Sequence, residues 1–269
     1  MTVKRDVACQ LSVNVLAATR LEFQIAVAPQ PGAEVSEELS FEVDGKRVDP
    51  LEISGNHGTR IHLLEVEQGT VEVDYKASVL GRSEPAVGTE RDRSQYLRPS
   101  RYAESDKFFG FAGTEFGDYT GDSVLLEKVS TWVASRLKYL PGSSDPIDGA
   151  TDTLLAGAGV CRDYAHLVVA LLRAVKVPAR TVAVYAPGCS PMDFHAVAEA
   201  YVDGQWRVVD PTRLAPRSTL VRIATGRDAA DTAFLDNHGG GIHLNHVRVQ
   251  ATVDGELPKD DISELVSIT

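Results

Sequence analysis

The hydrophobic pattern of this chain divides into three stretches. Over about the first ninety residues, apolar and polar positions alternate or cluster in short runs, at Gln10 to Val15, Leu21 to Val27, Thr59 to Val66 and Gly69 to Val79. Alternation of this kind predicts half-buried strands. Phe41-Glu42-Val43-Asp44-Gly45-Lys46-Arg47-Val48 adds a hairpin whose Asp-Gly pair suits a tight turn with positive φ. Several short strands with frequent turn signals predict a small β-sandwich or barrel for residues 1–90. From Ser123 to Leu140 the period becomes helical, with Val124, Leu125, Val129, Trp132, Val133 and Leu137 on one stripe, stopped by Pro141-Gly142. A short helix follows at Thr151 to Ala156. A third, strongly apolar helix runs through Leu167, Val168, Leu171, Leu172 and Val175 and stops at Val177-Pro178. Strands return at Arg180–Ala186, His195–Val202 and Gln205–Val209, and a last strand at His243 to Thr252 is expected to extend that same sheet.

Helices followed by antiparallel strands make residues 91–269 an α+β unit, with the third helix packed on the sheet. The stretch Gly81 to Arg101 reads as a polar connector restrained by Pro85 and Pro99. Its Arg91, Arg93, Arg98 and Arg101 suit docking on an acidic body. Gly239-Gly240-Gly241 reads as a flexible loop able to border a cleft.

Three side chains in this framework carry candidate chemistry. Gly157-Ala158-Gly159-Val160 leads into Cys161, which opens the apolar helix. Unpaired N–H groups and the positive end of the helix dipole at that position favour a thiolate over a thiol, and the same N–H groups can stabilise an oxyanion beside the sulfur. His195 and Asp210 lie on either side of Asp203-Gly204, another tight-turn signal. A two-residue turn there makes His195 face Thr212 and Asp210 face Val197. The imidazole and carboxylate then share one face as diagonal neighbours, their α-carbons about 7–8 Å apart, within reach of a hydrogen bond. A longer loop would spoil that register. Separately, a cysteine at a helix start is commonly a small buried hydrophobe and a strand histidine commonly structural. Their joint occurrence with a same-face aspartate points to a nucleophile, its base and the base's orienter.

These segments resemble the transglutaminase-like superfamily of papain-type cysteine enzymes, and most of all its bacterial members. The resemblance is carried by Tyr96-Leu97-Arg98-Pro99-Ser100-Arg101-Tyr102, Gly159-Val160-Cys161-Arg162-Asp163-Tyr164-Ala165-His166, Ala186-Pro187-Gly188, Asp193-Phe194-His195-Ala196-Val197 and Trp206-Arg207-Val208-Val209-Asp210-Pro211-Thr212, with a further piece at Val221 to Asp231. It implies a papain-like core, with Cys161 as nucleophile, His195 as general acid/base and Asp210 orienting it, and no cofactor. It also implies a second oxyanion donor upstream of the cysteine, for which Tyr102, Trp132 and Tyr139 are candidates, Trp132 reading more as core. The expected activity is hydrolysis of a peptide or small amide through a thioester. Transfer of the same acyl group to an amine is the alternative, and a non-catalytic binding module is the alternative of another class.

Composition narrows the partners. The 269 residues carry a formal charge of −11 and no Lys/Arg-rich tract, which weighs against nucleic acid and anionic lipid surfaces. No apolar run approaches the length of a membrane span and no leader pattern follows Met1, so a cytoplasmic setting is expected. The three cysteines, Cys9, Cys161 and Cys189, make no disulfide framework; Cys189 reads as a loop bystander. His57 and His62 have no third ligand, and His243 and His246 point to opposite faces of a strand, so no metal site is expected.

Overall fold

A computed structural model describes residues 3–119 and 124–269. Met1, Thr2 and Ser123, the expected start of the stripe helix, lie outside the described residues. In chain order the strands and helices are β1 (Lys4–Val15), β2 (Thr19–Phe23), β3 (Glu34–Val43), β4 (Lys46–Val48), β5 (Leu51–Ser54), β6 (Arg60–Val66), β7 (Gly69–Leu80), α1 (Glu90–Gln95), α2 (Phe109–Phe116), α3 (Val124–Arg136), β8 (Lys138–Tyr139), α4 (Ala150–Ala156), β9 (Ala158–Gly159), α5 (Cys161–Ala174), β10 (Ala179–Tyr185), β11 (His195–Val202), β12 (Gln205–Val209), β13 (Val221–Gly226), α6 (Ala229–Thr232), β14 (Leu235–Gly239) and β15 (Ile242–Val253).

The alternating N-terminal stretches form two facing sheets, in the orders β15-β1-β7-β3-β4 and β14-β2-β6-β5. Alternate residues of β1 and β7, Leu11, Val13, Val71, Val73 and Tyr75 among them, meet Leu21 and Phe23 of β2 in one apolar core. Each fully buried aliphatic or aromatic side chain there contributes roughly 1.5–3 kcal/mol. The Asp44-Gly45 turn has φ of 50° and 74°, and β3 and β4 pair Val43 with Lys46 across it, as the hairpin signal predicts.

The last strand departs from expectation. β15 pairs antiparallel with β1, and β14 with β2, so His243 to Thr252 completes the first sheet and not the one holding His195. The reason is edge pairing: β1 already has β7 on one side, and its other edge is a row of unpaired backbone groups until β15 covers it. Gly239-Gly240-Gly241 is the turn between β14 and β15 and packs on Leu16 to Thr19, away from the candidate cleft.

The second unit is built on a four-stranded antiparallel sheet, β12-β11-β10-β13. β13 lies in a stretch where sequence periodicity had placed no strand. α5 covers one face of this sheet, and every residue from Asp163 to Ala174 is buried. Its Leu167, Val168, Leu171 and Leu172 meet Val129 and Val133 of α3 and Ala198 and Ala200 of β11. The other face of the sheet continues into the sandwich core through Tyr185, Val221 and Ile223. The supposed connector holds a helix, α1. Its Thr89 side chain accepts from the Asp92 N–H while the Asp92 carboxylate accepts from the Thr89 N–H, a reciprocal cap that the short Thr-x-x-Asp spacing allows.

A sealed charge cluster joins the strands. Glu199 of β11 receives Arg180 of β10 at 2.8 Å and Arg222 of β13 at 2.6 Å, with all three side chains buried. Arg180 also lies 3.8 Å above the Trp206 ring and 3.4 Å from His57 Nδ1, which carries the cluster to the sandwich. His57 itself pairs with Tyr96 and Asp92, and His62 with Glu52. Burial alone would raise the Glu199 carboxyl, but the two guanidinium groups more than offset it and hold it at about 2. A depressed carboxyl stabilises the fold above its ordinary pKa of 4.5, and that contribution is lost as pH falls from there toward 2. Glu199→Gln should leave two buried cations uncompensated and cost about 3–5 kcal/mol in urea unfolding at neutral pH, with the deficit shrinking as pH falls through that window. A loss within 1 kcal/mol, a bound set by the usual spread for exposed pairs, would contradict this role.

Candidate active site

The site is assembled where α5 begins. α4 ends on Gly157, whose φ of 63° is the left-handed cap that glycine adopts without strain. The chain then pairs Ala158 and Gly159 in parallel with Lys138 and Tyr139, a two-residue bridge that the sequence pattern does not signal. Asp163, in the first turn of α5, accepts the Val160 N–H at 2.7 Å and the Ser144 hydroxyl at 2.9 Å. A Cβ on residue 159 would stand 2.7 Å from the Asp163 side chain, so glycine is required for the carboxylate to fold back. Gly159 and Asp163 thereby fix the first turn, and Cys161 emerges at its start.

The hairpin that supplies His195 and Asp210 has the anticipated register. Val202 pairs with Gln205, Tyr201 with Trp206 and Ala198 with Val209 around a turn with φ of 52° at Asp203 and 76° at Gly204. The imidazole Nε2 donates to Asp210 Oδ2 at 2.8 Å, and both side chains are buried. The other carboxylate oxygen accepts the Thr212 N–H at 3.0 Å and its hydroxyl at 2.7 Å, contacts that the sequence analysis did not assign. Cys161 lies beside the same imidazole in one cleft, and its thiol is 3.9 Å from the Phe194 carbonyl. All three sequence-selected residues therefore meet.

The electrostatics follow from this contact chain. Burial works against a charged His195, but the Asp210 carboxylate and then the Cys161 contact outweigh it and raise the imidazole well above 6.5. Burial likewise opposes the Asp210 charge, and His195 and Thr212 reverse that, lowering the carboxyl below 3.8. The pair is thus charged over a wide pH range.

Other residues close the surroundings. Tyr139 lies near Cys161 and Cys189; burial raises its phenol, and these two neighbours raise it further. Of the other oxyanion candidates, Trp132 packs edge-on against Phe111 and Phe116, while Tyr102 stacks on His166 and lines the cleft. His166 is fully buried, its pKa driven down to about 3 by burial, and it accepts the Ala229 N–H at 3.1 Å, tying α6 to α5. Cys189 is no remote bystander. It is buried close enough to Cys161, His195 and Asp210 to feel their charges, and burial pushes its thiol up. All three thiols are free. No group of three or more metal-ligating side chains occurs among the described residues.

Cys161 and His195 open into a cleft of about 520 Å³. One wall comes from the α/β unit, through Thr181, Ala183, Phe194 and Ile223. The other comes from the sandwich side, through Gln24, Phe234 and Leu235.

An apolar helix opened by a cysteine and packed on an antiparallel sheet that carries a His/Asp hairpin defines a papain-like α+β fold. Residues 116–211, which contain all three side chains, match the profile of the transglutaminase-like superfamily. A crystal structure from Cytophaga hutchinsonii, described as that of a putative cysteine protease, is 31% identical with a TM-score of 0.88, and covers 98% of this chain and 96% of its own. The chain belongs to the transglutaminase-like superfamily. Among curated proteins, ML0607 of Mycobacterium leprae is 27% identical over 154 residues, 52% of this chain and 53% of that one. Rv2569c of Mycobacterium tuberculosis is 32% identical over 127 residues, 41% of this chain and 40% of that one. The chain thus spans about half the length, or less, of these curated relatives.

The three thiols should differ sharply in reactivity. Cys9 is 1% exposed with its thiol pushed up to about 12, and Cys189 is buried, whereas Cys161 is half-buried and faces the cleft. Native protein treated with iodoacetamide near neutral pH should carry label on Cys161 at least about tenfold sooner than on the others. His195→Ala should slow that labelling. Equal rates at all three cysteines would contradict the geometry.

Proposed function

We propose that the protein is a cysteine-dependent amide hydrolase in which Cys161 is the nucleophile, His195 the general acid/base and Asp210 the group that orients the imidazole. The observation that carries this reading is the buried hydrogen bond of His195 to Asp210 on one nitrogen, with Cys161 lining the same cleft. A carboxylate on Nε2 turns the opposite ring nitrogen toward the thiol and stabilises the imidazolium that results when the proton leaves sulfur.

In the proposed sequence the Cys161 thiolate attacks the amide carbonyl carbon, and the negative charge moves onto the carbonyl oxygen. We assign the stabilisation of that oxygen to the Cys161 N–H at the start of α5, with the neighbouring Tyr139 hydroxyl as the candidate second donor. The imidazolium gives its proton to the leaving nitrogen, the C–N bond breaks, and the amine departs. His195 then takes a proton from water as it adds to the thioester. The second tetrahedral intermediate collapses to the acid, and the thiolate is restored. The reading also has the β unit, expected as residues 1–90 and completed by β14 and β15, serving the α/β unit, with a peptide or small amide as the substrate class.

Two measurements test this. Asp210→Asn should remain folded by circular dichroism and lose about 10²–10⁴-fold in turnover of an amide substrate, through loss of ring orientation and imidazolium stabilisation. Nearly full activity in that variant would remove Asp210 from the mechanism. Water is the proposed acceptor, so added primary amine at millimolar concentration should leave the free acid as the dominant product, with or without calcium. Saturable conversion of most product to the new amide would make the enzyme an acyltransferase and leave the Cys161 assignment intact.

A further inference from the structure

Two polar side chains that line the cleft, one from each unit, hold a buried oxygen with no partner. Gln24 Oε1 and Thr181 Oγ1 are buried and accept or donate no hydrogen bond within the protein, although Gln24 is only 7% exposed and Thr181 is fully enclosed. Both line the same cleft as Cys161 and His195. A buried amide oxygen left unpaired loses its hydration with nothing in return. An apolar residue of similar shape would avoid that cost, so a glutamine here needs an explanation outside the folded chain alone.

Gln24 is also firmly placed. It follows β2, and the next residues are stitched across the gap between the two units. The Gln24 N–H donates to the Phe234 carbonyl at 3.1 Å, the Tyr185 hydroxyl to the Ile25 carbonyl at 2.8 Å, the Val27 N–H to the Tyr75 hydroxyl at 2.8 Å, and the Ala28 N–H to the Arg222 carbonyl at 2.9 Å. Each bond anchors this segment to a different element, so its backbone is held on both sides. Beside Gln24, Phe234 stacks on Phe194 with ring centroids 4.9 Å apart, giving the wall an apolar surface that continues to the residue preceding His195.

We infer that Gln24, supplied by the sandwich unit, is a specificity-determining residue that accepts a hydrogen bond from a backbone N–H of a peptide acyl donor, with the Thr181 hydroxyl as a second polar group in the same cleft and the Phe194/Phe234 surface receiving the donor's apolar side chain. This rests on the reading of Cys161 as the nucleophile and adds the substrate class. The acyl side is an uncharged peptide segment, and an isosteric chain lacking the N–H is a poorer donor because it leaves Gln24 unpaired. It also gives the sandwich a task in recognition, since one of the two orphaned atoms comes from it.

Two matched donors test this: the 4-nitrophenyl ester of N-acetylphenylalanine and that of O-acetyl-phenyllactate, identical except for an N–H replaced by oxygen. Wild-type kcat/KM for acylation should favour the amide-containing donor by about tenfold. Gln24→Leu should abolish the preference by slowing that donor alone. Thr181→Val should reduce it. Labelling of Cys161 by methyl methanethiosulfonate, a reagent with no amide, should be unchanged in both variants. Gln24→Leu should unfold at the same temperature as wild type or higher, since an unpaired polar group is replaced by an apolar one. No preference between the donors in the wild type, an equal loss on both donors in Gln24→Leu, or a lower unfolding temperature would each overturn the inference. Failure of the underlying nucleophile reading is separately visible, as slow methanethiosulfonate labelling of Cys161 in the wild type.

Discussion

The buried hydrogen bond between His195 and Asp210 is the constraint on which the site depends. Two ionisable groups sealed from water are tolerated only when they meet with good geometry and their remaining hydrogen-bonding capacity is used. The hairpin around Asp203-Gly204 meets the first demand by making them diagonal neighbours on one face. Thr212 meets the second by giving two hydrogen bonds to the free oxygen of the carboxylate. With the ring fixed from one side, its orientation is set, and α5 brings Cys161 into the same cleft. The helix can do so because its interior face is almost wholly apolar and its first turn is locked by Asp163 over Gly159. Register, capping and packing thus converge on one point.

The sandwich and the α/β unit are not beads on a string. The chain leaves the sandwich at β7 and returns to it in β14 and β15, so each sandwich sheet is closed at one edge by a strand from the C-terminal part. Between the units, Glu199 holds arginines from β10 and from β13 beyond it, and Arg180 reaches on to His57 in the N-terminal part. The cleft lies along the same seam, one wall from each unit. A rigid seam of this kind keeps recognition groups at a fixed distance from the thiol, which is the geometric condition for positioning an acyl donor.

Much of this was legible from the residues alone. The Asp-Gly turns set two hairpin registers that the structure reproduces, and the apolar stripe of α5 identified the buried helix and its opening cysteine. The illegible parts have physical causes. α1 is a single cap-stabilised turn and more, with only Asp92 buried, so it has almost no hydrophobic period to detect. The parallel pairing of Tyr139 with Gly159 is two residues long and joins segments separated by a helix, so only tertiary packing decides it. The partner of β15 is not legible because an alternating strand fits the edge of any sheet, and sequence adjacency to β12 and β13 is no guide when β1 offers a long open edge. Gln24 gave no signal, since a lone glutamine beside an apolar run has meaning only once its burial and missing partner are known.

The central claim is that the thiol of Cys161 carries the acyl group and that His195 releases it. The most direct measurement is intact-mass spectrometry of the protein quenched in acid after brief mixing with an acyl 4-nitrophenyl ester, followed by peptide mapping. The account predicts one added acyl mass, located on the peptide containing Cys161, which decays within the turnover time in the wild type and persists in His195→Ala. An acyl group found on another residue, or a Cys161 adduct that decays equally fast without the imidazole, would contradict it.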